Sequence, residues 1–231
     1  MALTDNQLCH YKFNDDYTDS SGLVADLNPS GAPAFVAGRN AAAANALACG
    51  GYGGSGAGAC AYLVDVAFDL DGVDKSISCW YYADDYAVSP GVLSNWANPG
   101  GGVAWLLYHD GTNLVWTVRD AVGTDHTLTH PGAAPTDAWT FICLTYNSAT
   151  GDLTFRLNDE AVVTGSTPSI IVATASMAVG SRNSGAASLL GIVDDVRFWS
   201  RVLSEPEQDE LYADVSSTHR KNSLFVFSGG L

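Results

Sequence analysis

The sequence predicts a single all-β domain, and three features of its 231 residues support this class. Short runs of Val, Thr, Tyr, Trp and Phe alternate with Gly, Asn, Asp and Pro, which is typical of many strands joined by turns. Helix-forming segments are sparse apart from one near the C-terminus. The chain is 47% apolar, so it can fill a large core, and sandwiches of this length fold as one unit.

The first strands follow from alternation of apolar and polar residues. Residues 9–13 place Cys9, Tyr11 and Phe13 on one face. Residues 27–60 are rich in Ala and Gly and are predicted to form long turns around weak strands. Residues 61–68 form a further strand, and residues 76–82 alternate most regularly.

Two hairpins and a group of shorter strands complete the predicted sheets. Residues 104–108 and 114–119 flank an Asp-Gly step, which supplies the positive φ of a tight turn. Residues 139–146 and 153–157 form a second hairpin of the same kind. Strands are also expected over residues 161–164, 177–179 and 190–199.

One helix is predicted over residues 205–213, because Ser204 and Glu207 have capping-box spacing and Pro206 lies in the first turn. The domain is therefore expected to span residues 1–215, with a tail over 216–231. The tail ends in an apolar run that should bind a partner surface or add a strand to a sheet edge. This predicted partner-binding run consists of Leu224, Phe225, Val226 and Phe227.

The net charge of −15 argues against nucleic acid and anionic lipid as partners, because both select for clustered Lys and Arg. No apolar stretch is long enough for a membrane helix, and residues 1–6 are not expected to be a secretory signal, because they lack a basic segment followed by an apolar run. The five cysteines have no metal-binding spacing and are expected to be mostly free thiols. Cys49 and Cys60 bracket a Gly-rich segment and could form a disulfide in an oxidising setting.

Taken in order, these segments resemble the concanavalin A-like (laminin G-like) lectin/glucanase family over about residues 8–215. The motifs are YKF followed by DSSG, then SISCWY, AWTF and LNDE, and finally GIVDDVRFW with the capped helix. The resemblance implies an antiparallel β-sandwich of jelly-roll type with one short C-terminal helix. Family members bind glycans, proteins or other surfaces, often with calcium, and some relatives hydrolyse polysaccharides.

Catalysis is not expected. Retaining glycosidases need two carboxyl groups about 5 Å apart, which alternate residues of a strand can supply. The chain has four glutamates, and none lies before residue 160 or in a Glu-x-Asp strand pattern. The adjacent pair Asp194 and Asp195 should point to opposite faces of a strand.

A structural calcium ion is the one cofactor predicted. In calcium-binding relatives an Asp at the position of Asp194 meets the N-terminal loop, which here carries Asp15 and Asp19. Calcium accepts six to eight oxygens in irregular geometry. Turn formation and solvation are the simpler account of these acids.

Exposed aromatic residues beside polar ones are the candidate ligand site, since sugars stack on aromatic rings while polar neighbours bind their hydroxyls. Trp96 lies in a predicted loop between Asn95 and Asn98, and Tyr82, Asp84 and Tyr86 follow a strand end. Trp80, Trp139 and Trp199 are predicted to be buried on strands.

Two functions from different classes remain open. One is a non-catalytic module that recognises glycan or a cell surface and is displayed on a particle, as a virion decoration protein or adhesin. The other is a purely structural capsid or tail subunit without a ligand. Both place the chain on a virion, such as that of a bacteriophage, or on an extracellular surface, beside other protein subunits.

Overall fold

A computed structural model describes residues 2–39, 44–65, 68–70, 72–85, 90–96, 103–133, 135–168, 176–182 and 187–217. Within them the chain is built of short strands, one 3₁₀ turn at Tyr52–Gly54 and one α-helix, α1 (Glu205–Ser217). The prediction of an all-β protein with one C-terminal helix is therefore confirmed. The strands are β1 (Gln7–Tyr11), β2 (Asn28–Ser30), β3 (Ala34–Val36), β4 (Ala46–Cys49), β5 (Cys60–Val64), β6 (Lys75–Asp85), β7 (Gly91–Trp96), β8 (Val103–His109), β9 (Asn113–Arg119), β10 (Asp125–Ala133), β11 (Trp139–Tyr146), β12 (Asp152–Leu157), β13 (Val163–Ser166), β14 (Ser176–Val179) and β15 (Leu190–Trp199).

The strands form two antiparallel sheets. Sheet I runs in the order β13-β12-β11-β6-β15-β4-β3, and β1 adds to β15 at one end of that strand. Sheet II runs in the order β10-β9-β8-β7-β14-β5-β2. Hairpin neighbours such as β7 to β10 are joined to strands from distant parts of the chain, as in the β6–β15 and β5–β14 pairs, so non-local pairing holds the sandwich together.

The main core lies between the sheets and is built by strand alternation. In β6, Ile77, Cys79 and Tyr81 are buried in this core, so the residues between them face outwards. Sheet II contributes Leu93, Trp105 and other buried residues from its inner face. The predicted alternation of residues 76–82 is confirmed.

A second, smaller core covers the outer face of sheet I, where α1 packs. Trp80, Phe141 and Trp199 point away from the main core and pack with Leu203 and Leu211. Trp80 stacks on Tyr212 of the helix with ring centroids 5.7 Å apart. Trp80 and Trp199 are thus buried as predicted, but beneath the helix rather than between the sheets.

The turns are stabilised by the residues that the sequence predicts for them. In the β8–β9 hairpin, Asp110 accepts hydrogen bonds from the backbone N–H groups of Thr112 and Asn113, and Gly111 adopts a φ of 101°. At the start of α1, the Glu207 carboxylate accepts from both the Ser204 hydroxyl and the Ser204 N–H. The Glu207 half of the predicted capping box is therefore present, while the Ser204 hydroxyl donates to the same carboxylate, and the helix extends to Ser217 rather than ending at about Ala213.

Several elements differ from the sequence-based expectation. Residues 94–96, part of the loop expected around Trp96, belong to β7 inside sheet II, because β8 and β14 supply backbone partners on both sides. Residues 125–133 form β10, which pairs with β9 and was not predicted. The Ala- and Gly-rich segment contains three short strands, in keeping with the weak strands predicted there.

All five cysteines are buried free thiols, as expected for most of them. Cys49 and Cys60 are not bridged. Burial raises the pKa of Cys49, and the proximity of Cys60 adds to this effect, so neither residue is a reactive nucleophile. Among the described residues, no helix is long and apolar enough to cross a membrane.

Replacing Leu211 by Ala tests the attachment of α1 to sheet I. Leu211 is 3% exposed in the second core, so the variant should lose about 2–5 kcal/mol of unfolding free energy. Urea denaturation followed by tryptophan fluorescence measures this loss, since Trp80 and Trp199 lie in the same cluster. The exposed neighbour Glu210 changed to Ala is the matched control and should stay within about 0.5 kcal/mol of wild type.

Candidate functional site

Three half-buried aromatic side chains lie together on the outer face of sheet I, and we refer to Tyr52, Tyr82 and Trp139 as the aromatic platform. The ring centroids of Tyr82 and Trp139 are 5.8 Å apart, and those of Tyr52 and Tyr82 are 6.0 Å apart. The rings are tilted to one another at 55° and 57°. They therefore present a continuous, partly exposed aromatic surface.

Backbone register places these rings side by side. Tyr82 and Trp139 are directly opposite each other in the β6–β11 ladder, and Tyr82 alternates with the inward-facing Tyr81 and Ala83. Tyr52 comes from the 3₁₀ turn after β4, whose entry residue Gly51 has a φ of 100° that favours glycine. Three distant segments thus meet at one surface.

Carboxylates surround the platform. The Tyr82 hydroxyl donates to Asp137 Oδ1 at 3.1 Å, and Asp137 is exposed. This hydrogen bond raises the pKa of Tyr82 to about 12, and the neighbouring Tyr52 adds to the effect. Asp84 and Asp85, at the end of β6, are also exposed. The surface therefore offers aromatic faces next to hydrogen-bond acceptors.

An ion-pair cluster lies next to Trp80 on the same face of sheet I. The Arg39 guanidinium stacks over the Trp80 ring, 4.2 Å from its centroid. It lies 3.4 Å from an oxygen of Asp194 and 3.4 Å from an oxygen of Asp195. Asp195 also binds His10 at 2.6 Å and Arg197 at 2.9 Å, so the cluster joins β1, β15 and the β3–β4 connection.

The two acids of this cluster have opposite pKa shifts. Burial raises the pKa of Asp194 to about 7, although Arg39 opposes the shift. Burial also acts on Asp195, but the hydrogen bond from His10 and the charge of Arg197 outweigh it and hold the pKa of Asp195 below its usual range. Neighbouring acids whose pKa values are shifted in opposite directions occur at catalytic sites as well as in structural ion-pair networks.

The prediction that Asp194 and Asp195 point to opposite faces is wrong. The β15–β6 register shifts between Asp194 and Arg197, and Asp195 has a φ of 54°. This bulge turns both carboxylates towards Arg39 on the outer face. Asp194 is only 6% exposed, so a substrate in solution cannot reach it in this conformation.

The predicted calcium ligands are not brought together. Asp19 accepts backbone N–H groups from His10, Ser21, Leu23 and Val24 and a hydroxyl from Ser21, so hydrogen bonds within its own loop occupy its carboxylate. Asp194 faces a guanidinium, and Asp15 is exposed in a left-handed backbone conformation. In the part of the chain that the structure describes, no three His, Cys, Asp or Glu side chains are arranged to hold a metal ion. These residues do not fit calcium.

The predicted aromatic ligand site is divided between the two sheets. Tyr82 and Asp84 lie on sheet I, at or beside the platform. Asn95 lies in β7 of sheet II with 0% exposure and donates from Nδ2 to Asp69, so it cannot contact a surface ligand. Trp96 ends β7, and its side chain is outside the described set, as are Tyr86, Asn98 and the tail residues Leu224, Phe225, Val226 and Phe227.

Three residues of the site were missed by reasoning from the sequence. Trp139 was expected to be buried but is half-buried, because it is the first residue of β11 and packs only partly against the second core. The cross-strand register with Tyr82 was the signal that could have placed it. Tyr52 and Asp137 belong to turns, and their meeting with Tyr82 depends on tertiary structure.

The two antiparallel sheets with one C-terminal helix define a class of jelly-roll β-sandwich domains. The profile of the Concanavalin A-like lectin/glucanases superfamily matches residues 55–207. The chain belongs to this superfamily, which confirms the resemblance. Among curated proteins, no sequence matches the chain.

Solved structures with the same fold share little sequence identity with the chain. The binding domain of Paraclostridial Mosquitocidal Protein 1 has a TM-score of 0.72 at 18% identity, over 94% of this chain and 54% of that one. The binding domain of Botulinum Neurotoxin DC in complex with SialylT has a TM-score of 0.71 at 12% identity, over 94% and 53%. This chain therefore spans about half the length of those toxin domains.

A third similar structure has nearly the length of this chain. Domain 4 of AbnA, a GH43 extracellular arabinanase from Geobacillus stearothermophilus, in complex with arabinotriose, has a TM-score of 0.69 at 18% identity. The match covers 90% of this chain and 98% of that one. At such identities these likenesses establish the fold.

Changing Asp194 to Asn should alter how stability depends on pH. A carboxyl whose folded pKa is raised binds its proton more tightly in the folded state, so its contribution to stability falls as pH rises between its unfolded and folded pKa values. The melting temperature of the Asp194→Asn variant, relative to wild type, should therefore increase from pH 4 to pH 8 in thermal scans. The exposed Asp15 changed to Asn is the matched control for the loss of one negative charge outside the cluster. A difference for Asp194→Asn that falls with pH would contradict the assignment.

Proposed function

We propose that the chain is a non-catalytic binding module that recognises a glycan through the aromatic platform. The observation that carries this proposal is the row of partly exposed rings of Tyr52, Tyr82 and Trp139 beside the exposed acceptor Asp137. A sugar ring stacks its C–H face on an aromatic ring, and carboxylates accept hydrogen bonds from its hydroxyl groups.

The platform is suited to a ligand that is neutral rather than acidic. Its surrounding carboxylates, Asp84, Asp85 and Asp137, would repel a sialylated or uronic acid glycan. The nearby Arg39 is already paired with Asp194 and Asp195 and is buried. We therefore favour a neutral polysaccharide or oligosaccharide over an acidic one.

The comparisons support a binding role in general terms. The similar toxin domains are binding domains, one of them solved with SialylT, and the arabinanase domain was solved with arabinotriose. Another structure of that neurotoxin binding domain is in complex with rat synaptotagmin II, a protein ligand. A protein receptor is accordingly the alternative ligand for the same face.

Hydrolysis is not part of the proposal, because the four glutamates and the Asp194–Asp195 pair are not among the acids beside the platform. Glu205, Glu207 and Glu210 lie on α1, and Glu160 is in a turn after β12. Asp194 and Asp195 are adjacent but closed off by Arg39. The carboxylates at the platform lie beside the rings that would hold the ligand and serve as acceptors.

Tyr82→Ala and Trp139→Ala test the platform directly. Each removes one stacking surface, which should weaken the binding of a neutral glycan identified on a glycan array by about tenfold or more. Isothermal titration calorimetry measures the change in Kd. Both side chains are half-buried at the sheet surface, so the folded state should persist, as circular dichroism can verify.

Tyr108→Ala is the matched control, since Tyr108 is a half-buried tyrosine on sheet II that stacks with Arg182. It should bind with wild-type affinity. If Tyr108→Ala weakens binding while Tyr82→Ala does not, the ligand site is on the other sheet. If no glycan or protein ligand is found, a structural subunit without a ligand is the better account.

We further propose display on a larger particle, such as a virion, beside other protein subunits. The support is the apolar run Leu224 to Phe227 in the sequence, which follows the helix that closes the described sandwich. A run of four apolar, strand-prone residues gains most when it is added to a sheet edge or to a partner surface.

Deleting residues 218–231 should leave a folded domain, because α1 and both sheets lie before that point. Size-exclusion chromatography with light scattering should show that the truncated chain no longer assembles with its partner subunits or with itself. Thermal unfolding of the truncated chain is the control for folding. Loss of the folded state would place the tail in the sandwich, and unchanged assembly would contradict a partner-binding role.

A further inference from the structure

Three polar side chains are buried together between the two sheets, and we refer to Lys75, Asp69 and Asn95 as the interior triad. Their exposed fractions are 5%, 8% and 0%. Lys75 is one of only three lysines in the chain, the other two being Lys12 and Lys221. A lysine is almost never fully buried without a specific partner, so this cluster requires an explanation.

The fold directs the three side chains to one place. Lys75 precedes the core residue Ile77 by two positions in β6, so it points from sheet I into the sandwich. Asn95 follows the core residue Leu93 by two positions in β7, so it points inwards from sheet II. Asp69 lies on the connection between β5 and β6.

Asp69 interacts with both of the other residues. Asn95 Nδ2 donates a hydrogen bond to Asp69 Oδ1 at 2.9 Å. Among the charges that act on the Lys75 amine, that of Asp69 has the largest effect. The Asp69 carboxyl group thus interacts with an amine and a carboxamide that come from opposite sheets.

The surroundings of the triad are largely apolar and closed to solvent. The Trp105 Nε1–H donates to the carbonyl of Phe68, the residue before Asp69, at 3.0 Å. The ring of Phe198 lies 4.9 Å from that of Phe68 and 6.1 Å from that of Trp105, measured between centroids. Water therefore has little access to the three side chains.

Burial has two chemical consequences for the triad. It lowers the pKa of Lys75, against the opposing charge of Asp69, and so favours the neutral amine, which is the nucleophilic form. A buried ammonium and carboxylate also carry a desolvation cost that their attraction seldom repays fully. A reaction that removes the charge from the site would relieve this cost.

We propose that the interior triad forms an intramolecular isopeptide bond between Lys75 and Asn95, with Asp69 as the proton carrier. The Lys75 Nζ attacks the Asn95 Cγ, a C–N bond forms, and the Cγ–Nδ2 bond breaks. Nδ2 leaves as ammonia and takes up the proton that Nζ gives up, which passes through the Asp69 carboxyl group. The products are one secondary amide and one ammonia, and no oxidant or cofactor is required.

The hydrogen-bonding geometry is compatible with this role for Asp69. The hydrogen bond from Asn95 Nδ2 places the Asp69 carboxyl group next to the nitrogen that leaves as ammonia. Asn95 Oδ1 has no hydrogen-bond partner among the described residues. Rotation of the amide by half a turn would let a protonated Asp69 donate to that oxygen and polarise the carbonyl for attack.

The bond would link β6 of sheet I to β7 of sheet II across the core. All five cysteines are free thiols, so this crosslink would be a covalent connection that does not depend on redox conditions. It would restrict the unfolded chain in the same way as a disulfide. Such a link suits a module exposed to harsh surroundings.

Intact-mass spectrometry of the purified, denatured full chain tests the proposal. The wild-type mass should be lower than the mass of the sequence by one ammonia molecule, while the Lys75→Met variant should have its full sequence mass. Proteolysis without cleavage at lysine should yield a branched peptide that contains both Lys75 and Asn95. The matched control Lys12→Met, at an exposed lysine, should retain the ammonia loss.

Two further variants test the roles of Asn95 and Asp69 separately. Asn95→Asp can form the same amide by losing water, so its crosslinked product should have the same mass as crosslinked wild type. Asp69→Asn should remain largely uncrosslinked because it lacks the proton carrier. A wild-type chain with its full sequence mass would overturn the proposal. Lys75 and Asp69 would then be a buried ion pair without a crosslink. Ammonia loss that persists in Lys75→Met would also overturn it, because the loss would then come from another asparagine or glutamine reaction.

Discussion

The position of β6 between β11 and β15 is the constraint on which the rest of the molecule depends. Eight paired positions on β11 and a bulged ladder on β15 hold β6 in one register. Because side chains alternate along a strand, this register simultaneously directs Tyr81 into the core, Tyr82 to the outer surface and Lys75 towards sheet II. A slip of one residue would move the core, the aromatic platform and the interior triad together.

The outer face of sheet I is divided into a covered part and an open part. Helix α1 covers Trp80 and Phe141, and Tyr212 of the helix stacks on Trp80. The same two strands carry Tyr82 and Trp139, which are half-buried, and Trp139 packs against the cluster beneath the helix. The aromatic platform is thus the more exposed continuation of a buried aromatic cluster.

Charge is distributed unevenly over this architecture. The net charge of −15 reflects an excess of acidic over basic residues. Among the basic residues, Arg39 forms ion pairs with the largely buried Asp194 and Asp195. The bulge at Asp195 makes that pairing possible. The same β15 segment that suggested a metal site therefore serves as an internal ion-pair cluster that fastens β1 and the β3–β4 connection to the sheet.

The sequence by itself determined the all-β class, the central strand β6, two hairpins and the capped helix, because these depend on residue alternation, turn residues and capping within a few positions of each other. Tyr82 and Asp84 were also identified as candidates in this way, since they follow a recognisable strand end. The β7 strand, the bulge at Asp195 and the burial of Asn95 were decided only by tertiary structure. Each depends on backbone partners or side chains from distant segments, such as β14 for β7 and Asp69 for Asn95. The platform belongs to the same group, because Tyr52 and Trp139 reach Tyr82 only after non-local pairing has set the register of sheet I.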